Sequence, residues 1–168
     1  MGNGDDTVKY DSAGAVTAHA DDVISLSFGT GTDTLDFASG SAAIDLTAGS
    51  FTVDSLEVIA FGGQSSNVTL DAALLNGQSY QIQGDGDTAD LVFVDIDSAG
   101  SYDFSSLQID GTIAKAMGGM DIDGHSGNDT IVATDGGDVI DTGDGVNTVT
   151  GGLGADSITL GTGKDTVV

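Results

Sequence analysis

The chain has 168 residues, enough for one domain of ordinary size, and carries 27 acidic residues against three basic ones, for a net charge of −24. Lys9, Lys115 and Lys164 cannot build a basic patch, so no nucleic-acid partner is expected, and the lack of cysteine excludes disulfides and thiolate metal sites. No apolar run approaches the ~18 residues that a membrane-spanning helix needs, so no membrane insertion is expected.

Of the acidic residues only Glu57 is a glutamate. A merely solvated acidic surface would mix Asp and Glu. Asp alone, beside 27 glycines, points to short carboxylates held close to the backbone in turns. Disorder is the competing reading of such charge. Against it stands a hydrophobic content of 39%, rich in Val, Ile and Leu, which is strand material.

In chain order, two stretches near the N-terminus share a pattern of Gly, any residue, Asp, any residue, apolar. Gly2–Lys9 supplies Gly4, Asp6 and Val8; Phe28–Asp36 supplies Gly31, Asp33 and Leu35. A shorter match places Asp22 before Ile24. Two readings stay open for these turns: Asp6 and Asp33 hold metal, or the segments are plain edge turns.

Residues 41–123 keep strand character without this pattern. Short runs such as AIDL, SFTV, SLEVIAF, NVTL, DLVFVDI and YDFSSL alternate with Gly, Ser, Asn and Asp. They predict solenoid coils with a wider apolar interior. Its core would include Leu46, Leu56, Ile59, Phe61, Val68, Leu70, Ile82, Leu91, Phe93, Ile96, Phe104 and Leu107. Short helical turns are expected at 71–75 and 112–117. Asp85, Asp87 and Asp90 form a candidate irregular calcium site.

From Gly124 to Val168 the chain divides without a gap into GHSGNDTIV, ATDGGDVID, TGDGVNTVT, GGLGADSIT and LGTGKDTVV. The fourth position is always glycine: Gly127, Gly136, Gly145, Gly154 and Gly163. The sixth is Asp129, Asp138, Asn147, Asp156 or Asp165, and the eighth is always Ile or Val. Six residues make a turn and three a short strand whose middle side chain faces a core. Two units make one coil, and coils stack ~4.8 Å apart. That puts Asp129 beside Asn147, Asp138 beside Asp156, and Asn147 beside Asp165. Two carboxylates ~5 Å apart repel by roughly 3 kcal/mol at an effective dielectric near 20. A Ca²⁺ ion held by aspartates and turn carbonyls would relieve this.

The pattern resembles that of RTX calcium-binding proteins, secreted by bacteria through type I machinery. The resemblance implies an all-β fold, a right-handed parallel β-roll or β-solenoid with calcium-binding Gly/Asp-rich turns. The residues it marks are Asp129, Asp138, Asn147, Asp156 and Asp165 with their fourth-position glycines. Asn147, and His125 and Thr134 at the second positions of their units, depart from the pattern. The order of pieces from GTGTDTLDF to NVTL is similar to segments of RTX surface-layer proteins and adhesins. The whole chain, 1–168, reads as one continuous solenoid: degenerate RTX turns over 1–40, wider coils over 41–123, and five nonapeptides over 124–168.

Catalytic readings are weak. GHSGN has Asn128 where a nucleophile elbow needs glycine, and Lys164–Asp165 lacks the hydroxyl of a phosphate loop. The paired carboxylates Asp85/Asp87 and Asp95/Asp97 lack tryptophan platforms for a sugar. The expectation is a non-enzymatic calcium-binding structural protein or segment, extracellular or on a bacterial surface. Calcium would fold it after export. Repeats at both ends without capping helices suggest head-to-tail or lateral self-association into a surface layer, matrix or filament. Two alternatives are a secretion module of a larger RTX hydrolase, and an adhesin segment that binds ice or a cell-surface glycan.

Overall fold

A three-residue strand with one inward apolar side chain buries too little to stand alone. It becomes stable by stacking on copies of itself, with glycine- and aspartate-rich turns between. The computed structural model describes residues 2–9, 16–17, 23–37, 44–46, 50–61, 67–84, 91–109 and 118–168, and these form such a stack.

The first coils have three sides. Coil one holds β1 (Thr7–Lys9), β2 (Val16–Thr17) and β3 (Val23–Ser27); coil two holds β4 (Thr34–Asp36), β5 (Ile44–Leu46) and β6 (Ser50–Asp54). Coil three holds β7 (Val58–Phe61), β8 (Asn67–Asp71) and the helical turn α1 (Ala72–Leu75). Coil four holds β9 (Gln81–Gly84), β10 (Leu91–Asp95) and β11 (Ser101–Asp103). Coil five holds β12 (Gln108–Ile109), β13 (Gly118–Asp123) and β14 (Thr130–Val132). Two-sided coils follow, made of β15 (Gly137–Asp141) with β16 (Thr148–Thr150), and β17 (Ser157–Thr159) with β18 (Thr166–Val167).

Every pairing is parallel. The first side runs β1-β4-β7-β9-β12, the second β2-β5-β8-β10-β13-β15-β17, and the third β3-β6 and then β11-β14-β16-β18. Between the two parts of the third side sits α1, packed against β6 and β8. Asp71 caps it by accepting from the Ala73 N–H at 2.8 Å. The expected turn at 71–75 is therefore present; the one at 112–117 lies outside the described residues.

The register stacks like on like. Val8, Leu35, Ile59, Ile82 and Ile109 form one column of the first side. Leu46, Leu70, Val94, Ile122, Ile140 and Ile158 form one of the second. Tyr102, Ile131, Val149 and Val167 form one of the third. Most of these are fully buried, and each such aliphatic chain contributes about 1.5–3 kcal/mol. Phe37 stacks on Phe61 with ring centroids 5.8 Å apart, filling the wider interior.

Of the expected core, Leu46, Leu56, Ile59, Phe61, Val68, Leu70, Ile82, Ile96, Phe104 and Leu107 are buried. Strand β10 corrects the reading. Val92 and Val94 face inward, and Phe93 stands half-exposed on the other face. The run Leu91–Val94 is apolar throughout, so its composition could not set its phase. Pairing of Val94 with Leu70 and Ile122 sets it.

Candidate metal-binding turns

Two residues before each core column lies the corner where a turn enters its strand. On the first side this corner holds Asp6, Asp33, Glu57, Tyr80 and Leu107 in succession. On the second it holds Val68, Val92, Met120, Asp138 and Asp156. On the third it holds Gly100, Asp129, Asn147 and Asp165. Carboxylates therefore occupy the corner in the first three coils of the first side and in the C-terminal coils of the second and third, and uncharged residues, mostly apolar, occupy it between. This is why the nonapeptide fades between residues 41 and 123 while the coil persists.

The sequence hid one member of the series. Over 52–60, Ser55 stands where the repeat has glycine, Glu57 where it has aspartate, and Ile59 at the core position. Ser55 adopts φ 57°, the left-handed conformation that glycine takes freely. Ser55→Gly is expected to raise stability by about 1 kcal/mol, read from the midpoint of urea unfolding. A lowered midpoint would show that the serine side chain contributes more than its strain costs.

The corner residues form ladders of hydrogen bonds from backbone N–H groups to side-chain oxygens. Asp33 Oδ1 accepts from the Asp6 N–H at 2.8 Å, and Glu57 Oε2 accepts from the Asp33 N–H at 2.9 Å. On the third side Asp129 Oδ1 accepts from the Gly100 N–H, Asn147 Oδ1 from the Asp129 N–H and Asp165 Oδ1 from the Asn147 N–H, all at 2.9 Å. On the second side Asp138 Oδ1 accepts from the Met120 N–H at 2.7 Å, and Asp156 Oδ1 from the Asp138 N–H at 3.0 Å. The structure thus brings together the pairs Asp129/Asn147, Asp138/Asp156 and Asn147/Asp165. What links each pair directly is a backbone N–H donating to a side-chain oxygen, which spends one oxygen per corner residue.

The second oxygen differs from turn to turn. Asp6, Asp33 and Asp129 each keep a buried Oδ2 with no hydrogen-bond partner, and Asp33 and Asp129 are 0% and 2% exposed. A buried unpaired carboxylate oxygen costs several kcal/mol unless a cation or proton meets it. A hard divalent cation fits these positions. No three His, Asp or Glu side chains converge on one point among the described residues, so the remaining oxygens would be backbone carbonyls of the glycine turns. The glycines permit such turns: Gly4, Gly31, Gly127, Gly145, Gly154 and Gly163 have φ between 103° and 148°.

A family model for the RTX calcium-binding nonapeptide repeat matches residues 123–158 and 141–168, in four copies. Residues 123–168 are RTX repeats. No curated protein and no solved structure matches the chain. RTX nonapeptides bind Ca²⁺ in their turns, and proteins that carry them are generally secreted. The matched segment contains Asp129, Asp138, Asn147, Asp156 and Asp165 and the five fourth-position glycines. Asp6 and Asp33 lie outside it, yet they repeat its ladder and its unpaired oxygens. Asp22, Asp85, Asp87 and Asp90 lie outside the described residues.

An acidic rank that the sequence reading missed runs along the outer face of the second side. Asp71, Asp95, Asp123 and Asp141 pair in register. His125 Nε2 lies 2.5 Å from Asp95 Oδ1, and its Nδ1 lies 3.7 Å from Asp123. Asp121, on the same face, has its pKa raised by burial and by Asp123. Burial also raises the pKa of Asp138, opposed by hydrogen bonds from Met120 and Thr134. A carboxyl whose pKa is higher folded than unfolded loses stabilising power as pH rises through that interval. In EGTA the protein is therefore expected to gain stability as pH falls through the raised folded values toward the ordinary Asp value. Asp103 and Asp144, held low by hydrogen bonds from Ser105 and Thr162, add an opposite slope only at lower pH. Thermal melts across this range test it: Asp121→Asn should flatten the rise, and an unchanged slope would contradict its assigned share.

Proposed function

We propose that this chain is a non-enzymatic, extracellular structural protein or segment whose coil ends are completed by calcium after export, and which then self-associates. The observation that carries the calcium part is the buried, unpartnered Oδ2 of Asp129 inside an RTX turn, repeated at Asp33 and Asp6. In calcium-poor surroundings these oxygens and the net charge of −24 oppose closure of the end coils. In millimolar calcium, bound metal adds its binding free energy to folding.

Self-association is supported by where apolar side chains remain uncovered. The large exposed hydrophobic residues among those described are Val139, Val146, Leu153, Leu160, Val167 and Val168, all in the C-terminal roll. Leu153 is 66% exposed and Val168 78%. Apolar side chains left uncovered in one part of the chain favour contact with a like surface.

Light scattering together with circular dichroism, in EGTA and across a calcium titration, tests both parts. The expected result is a gain of β-signal followed by growth into larger particles. A gain without growth removes self-association and favours a folding module or an adhesin segment. An unchanged β-signal removes calcium as the folding ligand.

A further inference from the structure

We propose that two of the five nonapeptide turns close without metal, because Asn147 and Thr134 supply from the chain the donors that a cation would otherwise replace. The inference rests on the calcium reading of the other turns and refines it.

Asn147 is 1% exposed. Its Oδ1 accepts from the Asp129 N–H, a donor whose identity is fixed, so the amide nitrogen must point the other way. There Nδ2 donates to the carbonyls of Thr142 and Gly143, at 3.2 and 3.3 Å. These are the first and second residues of its own turn. One coil earlier in the same column, Asp129 makes the same Oδ1 bond and presents Oδ2 in place of that nitrogen. That oxygen is buried and has no partner. The one chemical difference between the two side chains thus decides whether the corner is satisfied. The Thr142 hydroxyl is left without a partner in the Asn147 turn, a neutral group less costly to bury than a carboxylate oxygen.

The turn of Asp138 reaches a similar end by another route. Thr134 stands at the second position, where the repeat has glycine. Its N–H donates to Asp138 Oδ2 at 2.9 Å, and its hydroxyl lies 2.9 and 3.0 Å from the two carboxylate oxygens. With the Met120 N–H on Oδ1, both oxygens of Asp138 are engaged. Gly136 does not share the positive φ of the other fourth-position glycines, so this turn differs in backbone as well. The two turns adjoin each other in sequence, in the middle of the repeat array. They would form a metal-free step on which the calcium-dependent turns of Asp129, Asp156 and Asp165 build.

Calcium bound per chain is measured by titration calorimetry and by equilibrium dialysis with radioactive calcium, on the full chain and on two variants. Asn147→Asp places a carboxylate oxygen at the amide position; Thr134→Gly removes the hydroxyl and restores the repeat. Each is expected to bind one more calcium than the parent. In EGTA, Asn147→Asp is also expected to lose amide-exchange protection over 142–150, recovered on adding calcium. Counts equal to the parent's in both variants overturn the proposal. A parent that binds no calcium overturns the calcium reading, and this inference with it.

Discussion

Asp129→Asn is expected to stabilise the protein in EGTA and destabilise it in saturating calcium. In the metal-free chain, Oδ2 of Asp129 is buried without a partner, and an amide there can donate to the turn carbonyls as Asn147 does. Relieving one unsatisfied buried group contributes about 1–3 kcal/mol. With calcium at 1,000 times its dissociation constant, the parent gains about 4.1 kcal/mol from one site, which the variant gives up. The sign of the difference therefore reverses between the two buffers, measured by urea unfolding in each. Asp129→Ala removes the acceptor of the Gly100 N–H as well and is expected to be less stable than Asp129→Asn in both. A variant less stable than the parent by the same amount with and without calcium would show that the carboxylate serves only as a cap.

Gly145→Ala is expected to be among the most damaging single methyls in the repeats. A Cβ there would lie 1.6 Å from the Gly127 carbonyl oxygen, with φ at 146°. The obstacle is backbone of the neighbouring coil, so no rotamer relieves it. Separating these coils would break the Gly127 N–H bond to the Asp144 carbonyl and the Asp144 N–H bond to the His125 carbonyl. Left-handed strain and a displaced coil together are expected to cost more than about 4 kcal/mol, enough to unfold the roll beyond it. Gly77→Ala is the control: φ is 69° and nothing lies within 4 Å of the added carbon, so only the conformational cost of about 1–2 kcal/mol applies. Similar losses in the two variants would show that close coil approach at Gly145 is not what the glycine provides.

These two positions mark what was legible in the sequence and what was not. The fourth and sixth columns are visible as letters, because the turn needs glycine conformation and a short acceptor. They gave the parallel stack, the coil of two nonapeptides and the three adjacent pairs. What stayed hidden follows from positions that obey the geometry without the letters. Tyr80, Leu107, Val92 and Met120 fill the same corner as the aspartates, so the coil continues while the motif disappears. Ser55 and Glu57 stand for glycine and aspartate at one turn. The first side of the wide coils, β1-β4-β7-β9-β12, has no continuation in the two-sided coils of the repeat. The fate of each second carboxylate oxygen depends on neighbours such as Thr134, and no spacing rule reports it.

The measurement that bears most directly on this account is amide hydrogen exchange, resolved by segment, in EGTA and in millimolar calcium. Carboxylate corners lie toward the ends of the stack, with mostly apolar corners between. Protection over the end turns, 3–9, 28–36, 124–132 and 151–168, is therefore expected to rise on adding calcium, while 133–150, whose two turns close without metal, changes less. Protection of the buried strands between 58 and 109 should already be high in EGTA and change little. Equal protection of the ends in both buffers, or a middle that loses its protection together with them, would contradict it.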